Sequence, residues 1–158
     1  MEATSGLAPG LGALTGVFGA LSDATRLRMV RLMASNDAEL CVCELVDCLE
    51  EPQYHVSRHL RELRACGLLR AERDGRWMYY SLNRAHPLAR PVAEMVAALP
   101  SEAFEREQRN FEERVKLRAA GRCRVGIQKE YLAESTGEGL EQASMRAPAA
   151  ALAAASEV

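Results

Sequence analysis

The stretch from Glu39 to Leu82, ELCVCELVDCLEEPQYHVSRHLRELRACGLLRAERDGRWMYYSL, constrains the fold more than any other part of the chain. It reads as two short helices, a tight link and a two-stranded ribbon. After Pro52, the apolar residues Val56, Leu60 and Leu63 recur at the four- and seven-residue spacings of one helical face, which is therefore the buried one. At about 100° per residue, Tyr54, Ser57, Arg58 and Arg61 fall on the opposite side, open to solvent or a partner. Gly67 suits the end of this helix, because glycine accepts the left-handed conformation that closes many helices. Leu68 to Arg73 reads as one strand and Arg76 to Leu82 as another, the second rich in the aromatic residues that favour strands. Asp74-Gly75 between them is the expected centre of a hairpin turn, where residues tolerant of positive φ are favoured. A ribbon beside a polar-faced helix is a geometry suited to reading nucleic acid.

The distribution of charge agrees with that assignment, although the total does not advertise it. The formal net charge is −2 and the pI about 6.0, so the location of the charges matters more than their sum. Residues 53 to 76 hold six arginines against Glu62, Glu72 and Asp74, whereas residues 35 to 52 hold six acids and no base. A solvated arginine surface would look similar, but here the basic stretch coincides with the exposed face of the second helix. At 158 residues and 48% hydrophobic content the chain has about one domain's length and enough apolar residues for a core. No run approaches the roughly 20 apolar residues of a membrane span, and Leu7 to Leu21 lacks the basic start of a signal peptide. A cytoplasmic protein without membrane contact is expected. Its five cysteines then sit in a reducing compartment, where metal binding or redox sensing is favoured over structural disulfides.

In chain order, residues 1–10 read as a mobile N-terminus and Leu11 to Leu21 as a first helix. Ser22 or Asp23 can cap the next, which turns Leu27, Val30, Leu32 and Met33 inward. Leu88 to Leu99 forms a helix with a stripe of Val92, Met95, Val96 and Leu99, which either packs on its own domain or pairs with a second copy. Ser101 to Arg118 is a charged helical stretch with Phe104, Phe111, Val115 and Leu117 as its apolar positions. A short irregular segment with Cys123 follows. Residues 133–158 are rich in glycine, serine and alanine and are expected to be disordered.

Three motifs give this chain a family resemblance. Ser57-Arg58-His59-Leu60 resembles the recognition-helix signature of the ArsR/SmtB winged helix-turn-helix metalloregulators. Asp74-Gly75-Arg76 and its aromatic strand resemble their wing, and Leu40-Cys41-Val42-Cys43-Glu44-Leu45 resembles the cysteine box of the arsenic-responsive branch. The likeness runs from about Phe18 to about Pro87. It implies a mainly α fold with a small β-hairpin wing, homodimeric through the terminal helix. Residues 11–100 would form the DNA-binding and dimerisation domain, and residues 101–132 a C-terminal helical extension. It also implies operator contacts from Tyr54, Ser57, Arg58 and Arg61 in the major groove and from Arg73 and Arg76 to phosphates, with His59 of the recognition-helix signature among the DNA-binding residues.

The cysteines carry the candidate sensor. Soft thiolates suit thiophilic ions such as As(III), Sb(III), Cd(II) or Pb(II) better than hard cations, and a helix N-terminus favours the thiolate form. Glu39, Glu44 and Asp47 act in the opposite direction. Cys41 and Cys43 are separated by about 200° on an ideal helix, so one ion could hold both only with local unwinding. The arsenic-responsive pattern often places a third cysteine where Val46 stands here. Cys48 follows two positions later, on the face of Cys41 but roughly 10 Å along the axis. Cys123, in a segment without an obvious packing role, is the preferred third donor, with Cys48 or a small cellular thiol as alternatives. Cys66, at the end of the recognition helix, reads as a small hydrophobe. His55, His59 and His86 lack the partners expected of a terminal-helix zinc site.

These features predict a metalloid-responsive repressor, not an enzyme, needing no resident cofactor and induced by As(III) or Sb(III). A Cd(II)- or Pb(II)-responsive repressor is the alternative, although none of the cysteines precedes position 41, where that branch carries extra ones. A thiol redox-switched regulator is a further alternative, weakened by the lack of a Cys-x-x-Cys motif.

Overall fold

The Asp23 carboxylate accepts the Arg26 backbone N–H at 3.0 Å and so satisfies one of the unpaired donors at the start of a helix. In the computed structural model, which describes residues 10–132, that helix is α2 (Ala24–Asn36), preceded by α1 (Leu11–Leu21). There follow β1 (Leu40–Cys41), α3 (Val42–Leu49), α4 (Gln53–Ala65), β2 (Leu69–Asp74) and β3 (Trp77–Leu82). The chain continues through α5 (Ala89–Ala97), a 3-10 turn (Ser101–Phe104), α6 (Glu105–Val115) and a second 3-10 turn (Glu130–Leu132). The expected mobile N-terminus, apart from residue 10, and the low-complexity tail of residues 133–158 lie outside the described residues.

The core is built from the inward faces of these helices. Met29, Val30 and Met33 of α2, Leu45 and Leu49 of α3, and Val56, Leu60 and Leu63 of α4 are all buried in one cluster. Helix α4 ends as the sequence suggests: Gly67 has φ +81°, and its N–H donates to the Arg64 carbonyl at 2.9 Å.

The expected two-stranded ribbon has a third strand. β1 pairs antiparallel with β3, Leu40 opposite Tyr80 and Cys41 opposite Tyr79, giving the order β1-β3-β2. Two residues carry too little alternation to announce a strand. The hairpin turn is also displaced by one position: Asp74 pairs with Trp77, so Gly75 and Arg76 are its central residues. Gly75 has φ +61°, as glycine at the first position of a two-residue hairpin loop allows.

The stripe on α5 divides. Val92 and Val96 are buried in the domain's own core, with α5 packed on α2, while Met95 remains 43% exposed. Helix α6 lies along α3 and brings the C-terminal extension onto the domain.

Candidate functional site

Two sites emerge, one of sulfur and one of arginine. Cys41 is the residue before α3 and is extended, with φ −85° and ψ 168°. Its N–H donates to Glu44 Oε2 at 3.1 Å. Because the helix begins only at Val42, the anticipated 200° conflict does not arise. The Cys41 and Cys43 sulfurs lie 3.5 Å apart without any unwinding. Cys123 joins them, and all three Sγ atoms lie within 4.8 Å of one another, fully buried. Trp77 and Tyr79 of β3 pack against the three thiols.

Cys123 is held from several directions. Its N–H donates to the Tyr79 hydroxyl oxygen at 2.9 Å, and Arg114 Nη2 reaches its sulfur at 3.5 Å. Hydrogen bonds from Cys41 and then Cys43, with the nearby Arg114 charge, pull the Cys123 thiol well below its ordinary pKa, against the effect of burial. The same hydrogen bonds to Cys123 raise Cys41 and Cys43, and burial adds to both. The Val125 carbonyl, 3.0 Å from the Cys123 sulfur, can accept only from the thiol and so works against ionisation. Of the three thiols, Cys123 is the one whose pKa is lowered, while those of Cys41 and Cys43 are raised.

Two buried ion pairs place this segment. Arg114 Nε donates to Asp47 Oδ2 at 2.7 Å, and Asp47 also accepts the backbone N–H groups of Gln128 and Lys129. Arg118 grips Glu44 with two hydrogen bonds, of 2.7 and 2.8 Å. Glu44 and Asp47 are thus each paired with an arginine, although Glu44 still raises the Cys41 thiol. Sequence reasoning missed this, yet a signal existed: Glu44 and Asp47, three apart on α3, match Arg114 in the last turn of α6 and Arg118 just beyond its end.

The structure does not bring Cys48 to the other thiols. It lies in the main core, and burial, with Glu44 and Asp47 nearby, pushes its thiol up to about 12. Cys66 donates to the Leu63 carbonyl. His55 faces Glu51, and His86 Nδ1 accepts the Leu88 N–H.

On α4, Tyr54, Arg58 and Arg61 are exposed and Ser57 is half-buried. His59 is 7% exposed and turned inward, its Nδ1 3.2 Å from Arg26 Nη1. Arg73 and Arg76 are exposed on the wing, and the Arg76 guanidinium lies 6.0 Å from the Trp77 ring centre.

A helical domain that presents a basic helix beside a small three-stranded wing is a winged helix-turn-helix, the fold of a DNA-binding regulator. The family model described as bacterial regulatory protein, arsR family, matches residues 23–71. The arsenical resistance operon repressor of Escherichia coli K12 is 36% identical over 107 residues, 68% of this chain and 86% of that protein. This chain belongs to the arsR family, whose members are transcriptional regulators rather than enzymes. The Pseudomonas putida arsenic resistance transcriptional regulator ArsR2 is 51% identical over 71 residues, 45% of this chain, and the match spans 61% of its length. A Staphylococcus aureus cadmium resistance regulatory protein CadC homolog is 39% identical over 70 residues, 44% of this chain and 57% of its own. Among solved structures, HlyU from Vibrio cholerae N16961 superposes with a TM-score of 0.50 at 26% identity, covering 56% of this chain and 91% of HlyU. No helix among the described residues is long and apolar enough to cross a membrane.

Proposed function

We propose that this protein is a homodimeric repressor that binds a palindromic operator and releases it when As(III) or Sb(III) is held by Cys41, Cys43 and Cys123. The observation that carries this reading is the buried group of three sulfurs. The donor set fits a soft trivalent ion, because no carboxylate or imidazole belongs to the group. The Cys41 and Cys43 sulfurs, 3.5 Å apart, are close enough for one ion to be held by both. The Pseudomonas and Escherichia relatives, named for arsenic resistance, support the same inducer.

A ligand acts only through different affinities for two states, and the connections of this site suggest how they differ. Cys41 lies on β1, the sheet neighbour of β3, which carries the wing. Cys43 lies on α3, which leads into α4. Drawing three sulfurs onto one ion therefore acts on the root of the wing and on the start of the helix-turn-helix together. Tyr54, Ser57, Arg58 and Arg61 would enter the major groove while Arg73 and Arg76 hold phosphates. His59 would position the helix through Arg26 rather than reach a base. Leu11, Phe18 and Met95, 77%, 58% and 43% exposed, offer apolar surface on α1 and α5 for a second copy.

The test is to titrate promoter-bound protein with As(III), Sb(III), Cd(II), Pb(II) and Zn(II) and follow release. As(III) and Sb(III) should release DNA at the lowest concentrations, and DNA should weaken metalloid binding by the same factor, because the coupling is reciprocal. Cys41→Ser, Cys43→Ser and Cys123→Ser should bind operator without being induced, whereas Cys48→Ser should respond as wild type. Preferential release by Cd(II) or Pb(II) would move the protein to that branch, in keeping with the CadC homolog's likeness. Normal induction of all three triad variants would reject the site.

A further inference from the structure

The described arginines divide by what they touch. Nine sit in ion pairs with carboxylates. Arg26 and Arg31 are held by the Ala20 and Val96 carbonyls. The remaining six have neither an ion-pair partner nor a side-chain hydrogen bond among the described residues: Arg58, Arg61, Arg64, Arg73, Arg76 and Arg124. Five of the six belong to α4 or the wing, the surface read above as the DNA face. A cation left without an acid beside it is the kind that can replace counterions along a phosphate backbone.

The sixth, Arg124, is far away in sequence and close in space. A cleft of about 160 Å³ is walled on one side by Asp74, Gly75 and Arg76 of the wing turn, and on the other by Arg122, Cys123 and Arg124. Arg122 closes the distance between the two. It bridges Asp74 at 3.1 Å and Glu39 at 3.1 Å, and its guanidinium lies 4.5 Å from the Tyr79 ring centre. Arg122 is thus spent on holding the segment to the wing. Arg124 is left exposed, across the cleft from Arg76.

We propose that Arg124 contacts a DNA backbone phosphate, so that the operator interface continues from the wing onto the segment that carries Cys123. This rests on the operator-binding reading above. It also gives that reading a short mechanical link. The third thiol and a phosphate contact are adjacent residues, so any displacement of Cys123 on coordination is imposed on Arg124 directly. Reciprocity then requires a phosphate seated on Arg124 to bias the position of Cys123.

The experiment measures binding of the full-length protein to operator and to random duplexes across a range of salt. Arg124→Gln should lower affinity for both duplexes by the same factor and reduce the log–log salt slope by about 0.9 per bound protomer. Arg124→Lys should restore the slope, since a phosphate contact needs only the charge. Arg109→Gln, which removes an exposed arginine paired with Glu105 on α6, should leave the slope at the wild-type value. The fold-release caused by As(III) should be smaller in Arg124→Gln than in wild type. An unchanged slope in Arg124→Gln, or an equal change in Arg109→Gln, would overturn the assignment. If wild type itself failed to prefer operator over random DNA, the repressor reading would fall and take this one with it. A normal wild type with an unaffected Arg124→Gln would reject the Arg124 contact alone.

Discussion

Replacing Asp47 by alanine should detach the third sulfur of the proposed metalloid site while leaving the DNA-binding domain folded. The Asp47 and Arg114 side chains are 5% and 3% exposed, so their attraction is little screened. Removing the carboxylate strands a buried guanidinium, which typically costs about 3–5 kcal/mol. Two backbone N–H groups, of Gln128 and Lys129, lose their acceptor as well. Domains of this size are stable by only about 5–15 kcal/mol, so the loss is large. It falls on the seam between α3 and α6 rather than on the apolar core of α2, α3 and α4. The expected outcome is local opening of residues 105–132: fast amide exchange there, slow exchange in α2 and α4, and an X-ray absorption signal for bound As(III) falling from three sulfurs to two. Asp47→Leu combined with Arg114→Met should recover much of the stability, since apolar replacement of both partners removes the stranded charge. A loss under about 1 kcal/mol, set against that expected range, with three sulfurs retained, would refute the view that this ion pair assembles the site.

Arg58→Ala should lower operator affinity by roughly 1–3 kcal/mol if the residue makes a bidentate base contact, with little change on random DNA. Arg76→Ala should weaken both duplexes alike and flatten the salt dependence; comparing the two duplexes by anisotropy checks each. Burial lowers the His59 pKa, against the pull of Asp23, with Arg26 adding to the lowering. Above the unfolded value of about 6.5 the ring is neutral in both states. As the pH falls from there towards the folded value, the unfolded chain binds the proton first and stability drops. Urea unfolding over this range should show that loss in wild type and not in His59→Gln. Gly67→Ala forces a side chain into a left-handed position, at about 1–2 kcal/mol. Its Cβ would also stand 3.0 Å from His86 Cδ2. A lower denaturation midpoint should follow, and an unchanged one would contradict the strain.

What was legible in the sequence was local. The spacing of Val56, Leu60 and Leu63, the stop at Gly67 and the aromatic strand each depend on neighbours within one or two turns, and each element stands where that spacing puts it. The turn shifted by one residue because Gly75 alone supplies the positive φ. β1 was missed because its two residues become a strand only by pairing with Tyr79 and Tyr80, about 40 positions on. The approach of Cys41 to Cys43 was misjudged for a related reason: the geometry assumed a helix through both, and the helix starts between them. The position of Cys123 was open because it depends on Arg114 meeting Asp47 across 67 residues. Whether Val92 and Val96 pack on their own domain or meet a second copy is decided by α2, which lies against them.

Trp77 is the only tryptophan in the chain, and it shares one buried cluster with the three cysteines. The protein's intrinsic fluorescence therefore comes with its emitter beside the proposed metalloid site, and a heavy atom drawn onto those sulfurs should quench it without any label. The same indole follows Arg76 at the wing turn, so a phosphate seated there would shift the emission in its own way. One stopped-flow trace on the unmodified protein can thus time the proposed metalloid capture against the proposed departure from DNA and show which comes first.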